Sequence, residues 1–233
     1  MPFSDEAITS ITFTIASQAQ ATPSYGDRQI SVAVIRSNGE STYLCITMKL
    51  NQLFSKVMGA DFHGVLPYPV STIVIEKGKV LTDFNQVESN AYFLNSGVVE
   101  IEIQSYQTFK SIDFFFAGEF VCAYSSFLTQ QPSDVRVVAL TDCEAEVVSY
   151  SDLQKAYGQS LLANHMGRIM NEQAYLRKAQ REKDFLTKTA EERYLELLKY
   201  HPDYVIQIPV NRIARYLGIH PESLSRIRKK LNS

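Results

Sequence analysis

Glu222 and Arg226 are the two residues of this 233-residue chain whose types and spacing most clearly suit chemistry on a partner. They stand four apart in Pro221-Glu222-Ser223-Leu224-Ser225-Arg226-Ile227-Arg228-Lys229-Lys230-Leu231, so on a helix they share a face. A carboxylate accepts from cytosine N4 and a guanidinium donates twice to guanine O6 and N7, so the pair suits a C and a G in a DNA major groove. Ser223 and Ser225 are short hydroxyl donors of the kind that bonds phosphate, and Arg212, Arg215, Arg228, Lys229 and Lys230 supply cations for the same backbone. From Ile206 to Ser233 six basic residues meet one acidic residue, a local net charge of +5 in a chain whose total is −2. A basic patch on a mildly acidic protein is the footprint of phosphate contact. The competing reading is a helical hairpin with a solvated basic face, since Glu and Arg four apart are common surface support. The charge asymmetry argues against it.

Such a face has to be held by a second helix. Val210, Ile213, Ala214 and Leu217 recur at offsets of three and four, which predicts a helix with one apolar side, and Ala214 is small enough to admit a close neighbour. Gly218 follows where a helix end needs positive φ. Pro221 suits the first turn of a new helix and Glu222 is favoured there by the helix dipole. Leu224, Ile227 and Leu231 then form the buried side. The unit reads as a helix-turn-helix whose second helix enters the major groove. Upstream, Thr189 and Glu192 hold capping-box positions before a helix that His201-Pro202 ends, which points to a winged-helix-like module.

The composition narrows the rest. Forty-five per cent hydrophobic residues with 21% charged is globular. No apolar run is long enough to span a bilayer and no basic stretch precedes an apolar core at the N-terminus, so a cytoplasmic protein without a membrane partner is expected. Cys45, Cys122 and Cys143 are scattered and odd in number, as are the four histidines, so neither a disulfide framework nor a metal site is expected. No nucleophile–base pair or phosphate loop stands out, so neither an enzyme nor a cofactor is expected.

Between Val70 and Tyr150 short alternating runs predict strands: 72–75, 91–94, 98–103, 109–115, 135–140 and 145–148, separated by the turns Glu76-Lys77-Gly78-Lys79, Asn95-Ser96-Gly97 and Phe116-Ala117-Gly118-Glu119. Their spacing suggests a sandwich or barrel-like roll. From about Leu161 to Phe185 the periodicity is helical, with Leu162, Met166, Ile169, Gln173 and Leu176 on a narrow stripe. That stripe predicts a dimer seam, with a helix lying on its own β-domain as the alternative.

A β-roll, a long helix, then Glu-Glu-Arg-Tyr, Ile-Pro, Ile-Ala, Leu-Gly-Ile and Glu-Ser-Leu-Ser-Arg resembles the Crp/Fnr family of bacterial transcription regulators, from about Val70 to the C-terminus. The most specific pieces are Glu222 to Arg226 and the roll turns Lys77-Gly78, Asn95-Ser96-Gly97 and Gly118-Glu119-Phe120. The resemblance implies an α+β chain. A double-stranded β-helix, jelly-roll-like, would receive a signal; a long helix would dimerise it; and a C-terminal winged-helix-like helix-turn-helix would bind a palindromic operator and work with RNA polymerase. It places Glu222 and Arg226 at the base-reading positions and Ser223 on a phosphate. The implied division is an N-terminal extension at 1–47, the roll and long helix at 48–187, and the DNA-binding domain at 188–233.

Departures fall in the effector pocket implied by the family, at Gly118, Glu119, Cys122, Ala123, Ser133 and Asp134. Members that bind cyclic AMP carry a second Gly-Glu and then Arg-Ser or Arg-Thr; here those places hold Cys122-Ala123 and Ser133-Asp134. A carboxylate in place of a guanidinium repels an anion and removes a bidentate donor, so cyclic nucleotide is disfavoured. Arg136 lies near, but strand alternation leaves its rescue of the site open. Fnr-like oxygen sensors use an N-terminal cysteine cluster that this chain lacks. A haem ligand could be named only as Cys122 or His165. Ile8 to Ala16 alternates like a strand, and Ile30 to Ile46 reads as a hairpin around Asn38-Gly39 that could add strands to the roll. Met48 to Phe54 resembles the short opening helix of the family, which leaves an overlong start of the reading frame as the alternative. The alternative for the whole chain is a small-molecule sensor with a vestigial DNA-binding arm.

Overall fold

The computed structural model describes residues 33–37, 40–44, 49–59, 62–106 and 108–231, with backbone alone at 33–37, 40–44 and 203–204. The expected strand at 8–16 and Cys45 lie outside them.

β1 (Ala33–Ser37) and β2 (Glu40–Leu44) form a separate two-stranded antiparallel pair whose last partners are Ser37 and Glu40, while the expected Asn38-Gly39 turn lies outside the described residues. They add no strand to the roll. The helix α1 (Leu50–Met58) follows. The roll itself is two four-stranded antiparallel sheets. One runs β3 (Ser71–Ile75), β10 (Cys143–Ser149), β5 (Asn90–Ser96), β8 (Phe120–Val121); the other runs β4 (Val80–Thr82), β9 (Val135–Ala139), β6 (Val98–Ser105), β7 (Thr108–Phe116). All six expected strands are present. β4 and β8, of three and two residues, are too short to leave a periodic signal.

Alternation along the strands builds the layers. Val99, Ile101, Val137 and Ala139 point inward to Leu94, Val121 and Ala145 of the other sheet, while Val98, Val138, Leu140, Phe114 and Phe116 belong to a second cluster on the outer side. On the opposite flank Phe93 and Val148 meet Leu50, Phe54 and Met166. Gly97 makes the β5–β6 turn at φ +91°, and a Cβ there would fall 2.6 Å from the Asp142 carbonyl and against Cys143 Sγ, so only glycine fits.

After α2 (Tyr124–Thr129) and α3 (Tyr150–Gln159), the long helix α4 runs Leu161–Thr187 for 27 residues. Four helices follow: α5 (Ala190–Tyr200), α6 (Pro202–Val205), α7 (Val210–Leu217) and α8 (Pro221–Leu231). Their apolar sides, with Tyr194, Leu197, Ile213, Leu217 and Leu224, cover the outer face of the β4-β9-β6-β7 sheet. Among the described residues from 188 to 231 no strand occurs, so the expected wing is corrected to a one-turn helix, α6. Only nine residues separate α5 from α7, two of them proline, too little chain for a hairpin beside that helix. No helix among the described residues is long and apolar enough to cross a membrane.

Candidate nucleic-acid interface and effector pocket

Local chemistry fixes the C-terminal helices. Thr189 Oγ1 accepts from Glu192 N at 3.2 Å and Glu192 Oε2 accepts from Thr189 N at 2.7 Å, the expected capping box at the head of α5. α7 buries Ile213, Ala214 and Leu217 and ends at Gly218, whose φ of 71° is left-handed; the next N–H, of Ile219, bonds back to the Ala214 carbonyl at 3.0 Å. α8 starts at Pro221 and anchors through Leu224, fully buried, and Ile227, half-buried. Leu231, expected in the buried face, is 39% exposed at the rim of that core.

Glu222, Ser225, Arg226 and Lys229 form an exposed row along α8 at offsets of three, four and seven. Lys230 is exposed as well and pairs with Glu191 at 2.8 Å, and Ser225 Oγ donates to the Pro221 carbonyl at 3.0 Å. Ser223 and Arg215 are half-buried. Arg228 behaves differently from expectation: its Nε donates to Tyr194 Oη at 2.9 Å and its guanidinium lies 5.5 Å from that ring, so it ties α8 to α5.

Arg212 departs furthest. Expected on phosphate, it is held inside the chain, its side chain 24% exposed, with Nη1 at 2.7 Å from Glu100 Oε2 and in contact with Glu102 Oε1. The reason is that β6 turns Glu100 and Glu102 toward the C-terminal helices, at 0% and 1% exposure, and buried carboxylates need cations. Ser111 Oγ bonds Glu100, and Arg136 bonds Glu102 through Nε (3.0 Å) and Nη2 (2.5 Å). Arg136 is thus spent on the outer face, away from the effector pocket. Aromatic contacts flank the cluster: Phe114 stacks on Tyr216 at 4.9 Å and Phe116 on His201 at 3.9 Å. Burial, and then the Asp113 charge, pushes the Tyr216 phenol up to about 12.

The pocket residues implied by the family resemblance are scattered in their roles. Glu119 is paired with Arg177 of α4 at 2.7 Å; Arg177 also bonds Asp113 Oδ2 at 2.8 Å and the Phe114 carbonyl at 2.5 Å. Burial alone would raise the Glu119 carboxyl, but the charge and hydrogen bond of Arg177 bring it below the ordinary carboxylate value. Ser133 is buried and its Oγ bonds its own strand at Val135, whereas Asp134 is exposed. Cys122 is buried, and desolvation followed by the Glu88 charge pushes its thiol well up. His165 lies exposed on α4. Among the described residues no group of three or more His, Cys, Asp or Glu is placed to hold a metal ion.

One residue there escaped sequence reasoning. Glu88, 2% exposed, puts its carboxylate at the head of α2, accepting from Ala123 N at 3.2 Å, Asn90 N at 3.1 Å and Thr82 Oγ1. It brings negative charge to the turn that carries Cys122 and Ala123. A lone Glu in the β4–β5 connection carries no periodic or motif signal.

The stripe expected as a dimer seam is corrected in part. Leu162, Met166 and Ile169 pack on Leu50, Phe54 and Phe93 of the same chain, because α1 and the outer face of the β3-β10-β5-β8 sheet leave an apolar surface that α4 covers. Gln173 and Leu176 are exposed. The apolar residues α4 leaves to solvent are Leu161 (89%), Tyr175 (71%), Leu176 (57%), Phe185 (49%) and Leu186 (80%).

Residues 72–160 match the family model described as the cyclic nucleotide-binding domain. Solved structures share the fold, three of them as follows. FixK2 from Bradyrhizobium japonicum matches with TM-score 0.61 and 18% identity over 70% of this chain and 85% of that one. A Crp/Fnr-family regulator from Eubacterium rectale matches at 0.55 and 17% over 70% and 78%. The c-di-GMP-responsive global regulator CLP of Xanthomonas campestris matches at 0.54 and 18% over 70% and 86%. No curated protein matches by sequence.

Proposed function

We propose, from the cyclic nucleotide-binding domain matched at residues 72–160 and from the fold shared with Crp/Fnr-type structures, that the chain is a Crp/Fnr-type, homodimeric, sequence-specific DNA-binding transcription regulator. The observation that carries this reading is the exposed row on α8, presented by a Gly218-capped turn within a segment of net charge +5. Glu222 and Arg226 read bases. Ser223, Ser225, Arg215, Lys229 and Lys230 serve phosphates. Residues 188–233 are the DNA-binding unit and 48–187 the roll with its dimer helix, whose partner-facing surface centres on Leu161, Tyr175, Leu176 and Leu186. The family resemblance supports RNA polymerase as a further partner.

Selection of bound duplexes from random DNA tests the proposal. An inverted repeat with half-sites about one helical turn apart is expected; no enriched palindrome sinks it. Arg226→Ala is expected to cost roughly 1–3 kcal/mol and relax one base position, whereas Lys229→Ala weakens all sequences alike.

The roll is proposed to be a degenerate sensor that does not take cyclic AMP. A cyclic phosphate brought to the head of α2 would meet the negative charge of Glu88 where a guanidinium is needed, and Ser133 and Arg136 are already bonded elsewhere. Calorimetry with cyclic AMP and cyclic GMP is expected to show no heat of binding, and micromolar affinity would overturn this part.

A further inference from the structure

Glu100 and Glu102 sit on the side of β6 that faces the C-terminal helices and are buried there, at 0% and 1% exposure, with Arg212 of α7 against both. Every partner of the pair is accounted for on the outer face: Ser111 from β7, Arg136 from β9 and Arg212 from the first turn of α7. The cations and carboxylates balance two against two. Arg212 is the member that arrives from the DNA-binding unit, with its own carbonyl also approached by Ser111 Oγ at 3.4 Å. Meanwhile the row on α8 stays exposed.

We propose that strand β6 is an internal competitor for DNA: its two carboxylates hold the guanidinium of Arg212 as phosphodiester oxygens would, and keep the chain in a self-restrained form. This rests on the DNA-binding reading above. A guanidinium makes charge-assisted bonds to carboxylate and phosphate with the same fork of donors, so it can serve one or the other and not both. In the restrained form the base-reading face is open while a phosphate anchor is withheld. Full engagement of DNA requires α7 to leave β6. Apparent affinity is therefore lowered by the fraction of molecules in the released state.

The test compares the full-length protein with Glu100→Gln/Glu102→Gln and Arg212→Ala. Affinity for a fluorescent random-sequence duplex is read by anisotropy at fixed salt, and hydrogen exchange is followed across residues 210–217. Retained protection of β5 and β10 shows the roll intact. The double variant is expected to exchange faster over 210–217 and to bind the duplex at least about tenfold more tightly. Arg212→Ala is expected to exchange equally fast but gain less affinity, because its anchor is gone. Faster exchange with unchanged affinity overturns the proposal and leaves DNA binding intact. Unchanged exchange overturns it too, and failure of every form to bind the duplex overturns the DNA-binding reading with it. Carbodiimide labelling of Glu100 and Glu102 in the unaltered protein gives an independent reading should the double variant fail to fold. Labelling must rise when the duplex is bound, and no rise overturns the proposal.

Discussion

Replacing Arg177 by Met keeps the apolar stem over the Phe115 ring, 4.4 Å from the guanidinium carbon in the unaltered protein, and deletes the charge. The loss is threefold: Nε to Asp113 at 2.8 Å, Nη1 to Glu119 at 2.7 Å and Nη2 to the Phe114 carbonyl at 2.5 Å. The side chains involved are 13–18% exposed, so the deletion takes the Arg177 cation from two mostly buried carboxylates. Breaking a buried pair from one side costs about 3–5 kcal/mol, against roughly 0–1 kcal/mol for an exposed pair. Urea denaturation at neutral pH should place the variant in the first range. The pH dependence separates charge from packing. In the unaltered protein the Glu119 carboxyl is depressed, so its stabilisation is present above the ordinary carboxylate value and lost as pH falls through the depressed one. In Arg177→Met burial acts on Glu119 against only the weaker pull of the Phe116 N–H bond and the His201 charge, and acid neutralises the buried group. The difference between the two proteins should therefore narrow as pH is lowered. A deficit below about 1 kcal/mol, or one independent of pH, refutes the reasoning.

Gly97→Ala must force a left-handed backbone on alanine and drive a Cβ onto the Asp142 carbonyl, so a loss of at least about 2 kcal/mol is expected from the urea midpoint. Tyr216, with its phenol pushed up to about 12 from 10.0, favours the protonated form in the folded chain. Its contribution is complete below pH 10 and lost as pH rises toward 12; alkaline unfolding should be less steep in Tyr216→Phe. Glu88→Ala leaves the Ala123 and Asn90 N–H groups without their carboxylate, and thermal or urea melting should show a loss of about 1–3 kcal/mol for each group that water does not reach. A neutral result would mean that solvent already reaches the head of α2.

The helical pair was legible because its signals are local: Gly218, Pro221 and the spacing of Ile213, Leu217 and Leu224 act within one or two turns. The six longer strands were legible by their period. What escaped is non-local. The run Val98-Val99-Glu100-Ile101-Glu102-Ile103 alternates like a strand with one solvated side, and nothing within it says that α7, more than a hundred residues on, will bury the acidic side. For the same reason Arg212 reads as a free cation until Glu100 is placed opposite. The α4 stripe is legible in part: its period shows that one side is apolar, and α1 and β5 decide that Leu162, Met166 and Ile169 pack on the same chain. Within the candidate interface, the exposed Glu222, Ser225, Arg226 and Lys229 stand where the spacing put them.

The shared cluster of Val98, Phe114, Phe116, Val138 and Leu140 with Ile213, Leu217 and Leu224 makes the roll and the C-terminal helices one thermodynamic body. Linkage then runs in both directions with a single coupling free energy. If DNA draws α7 from β6 as proposed, a compound that binds the roll more tightly when the helices are docked lowers affinity for DNA by some factor, and DNA lowers affinity for that compound by the same factor.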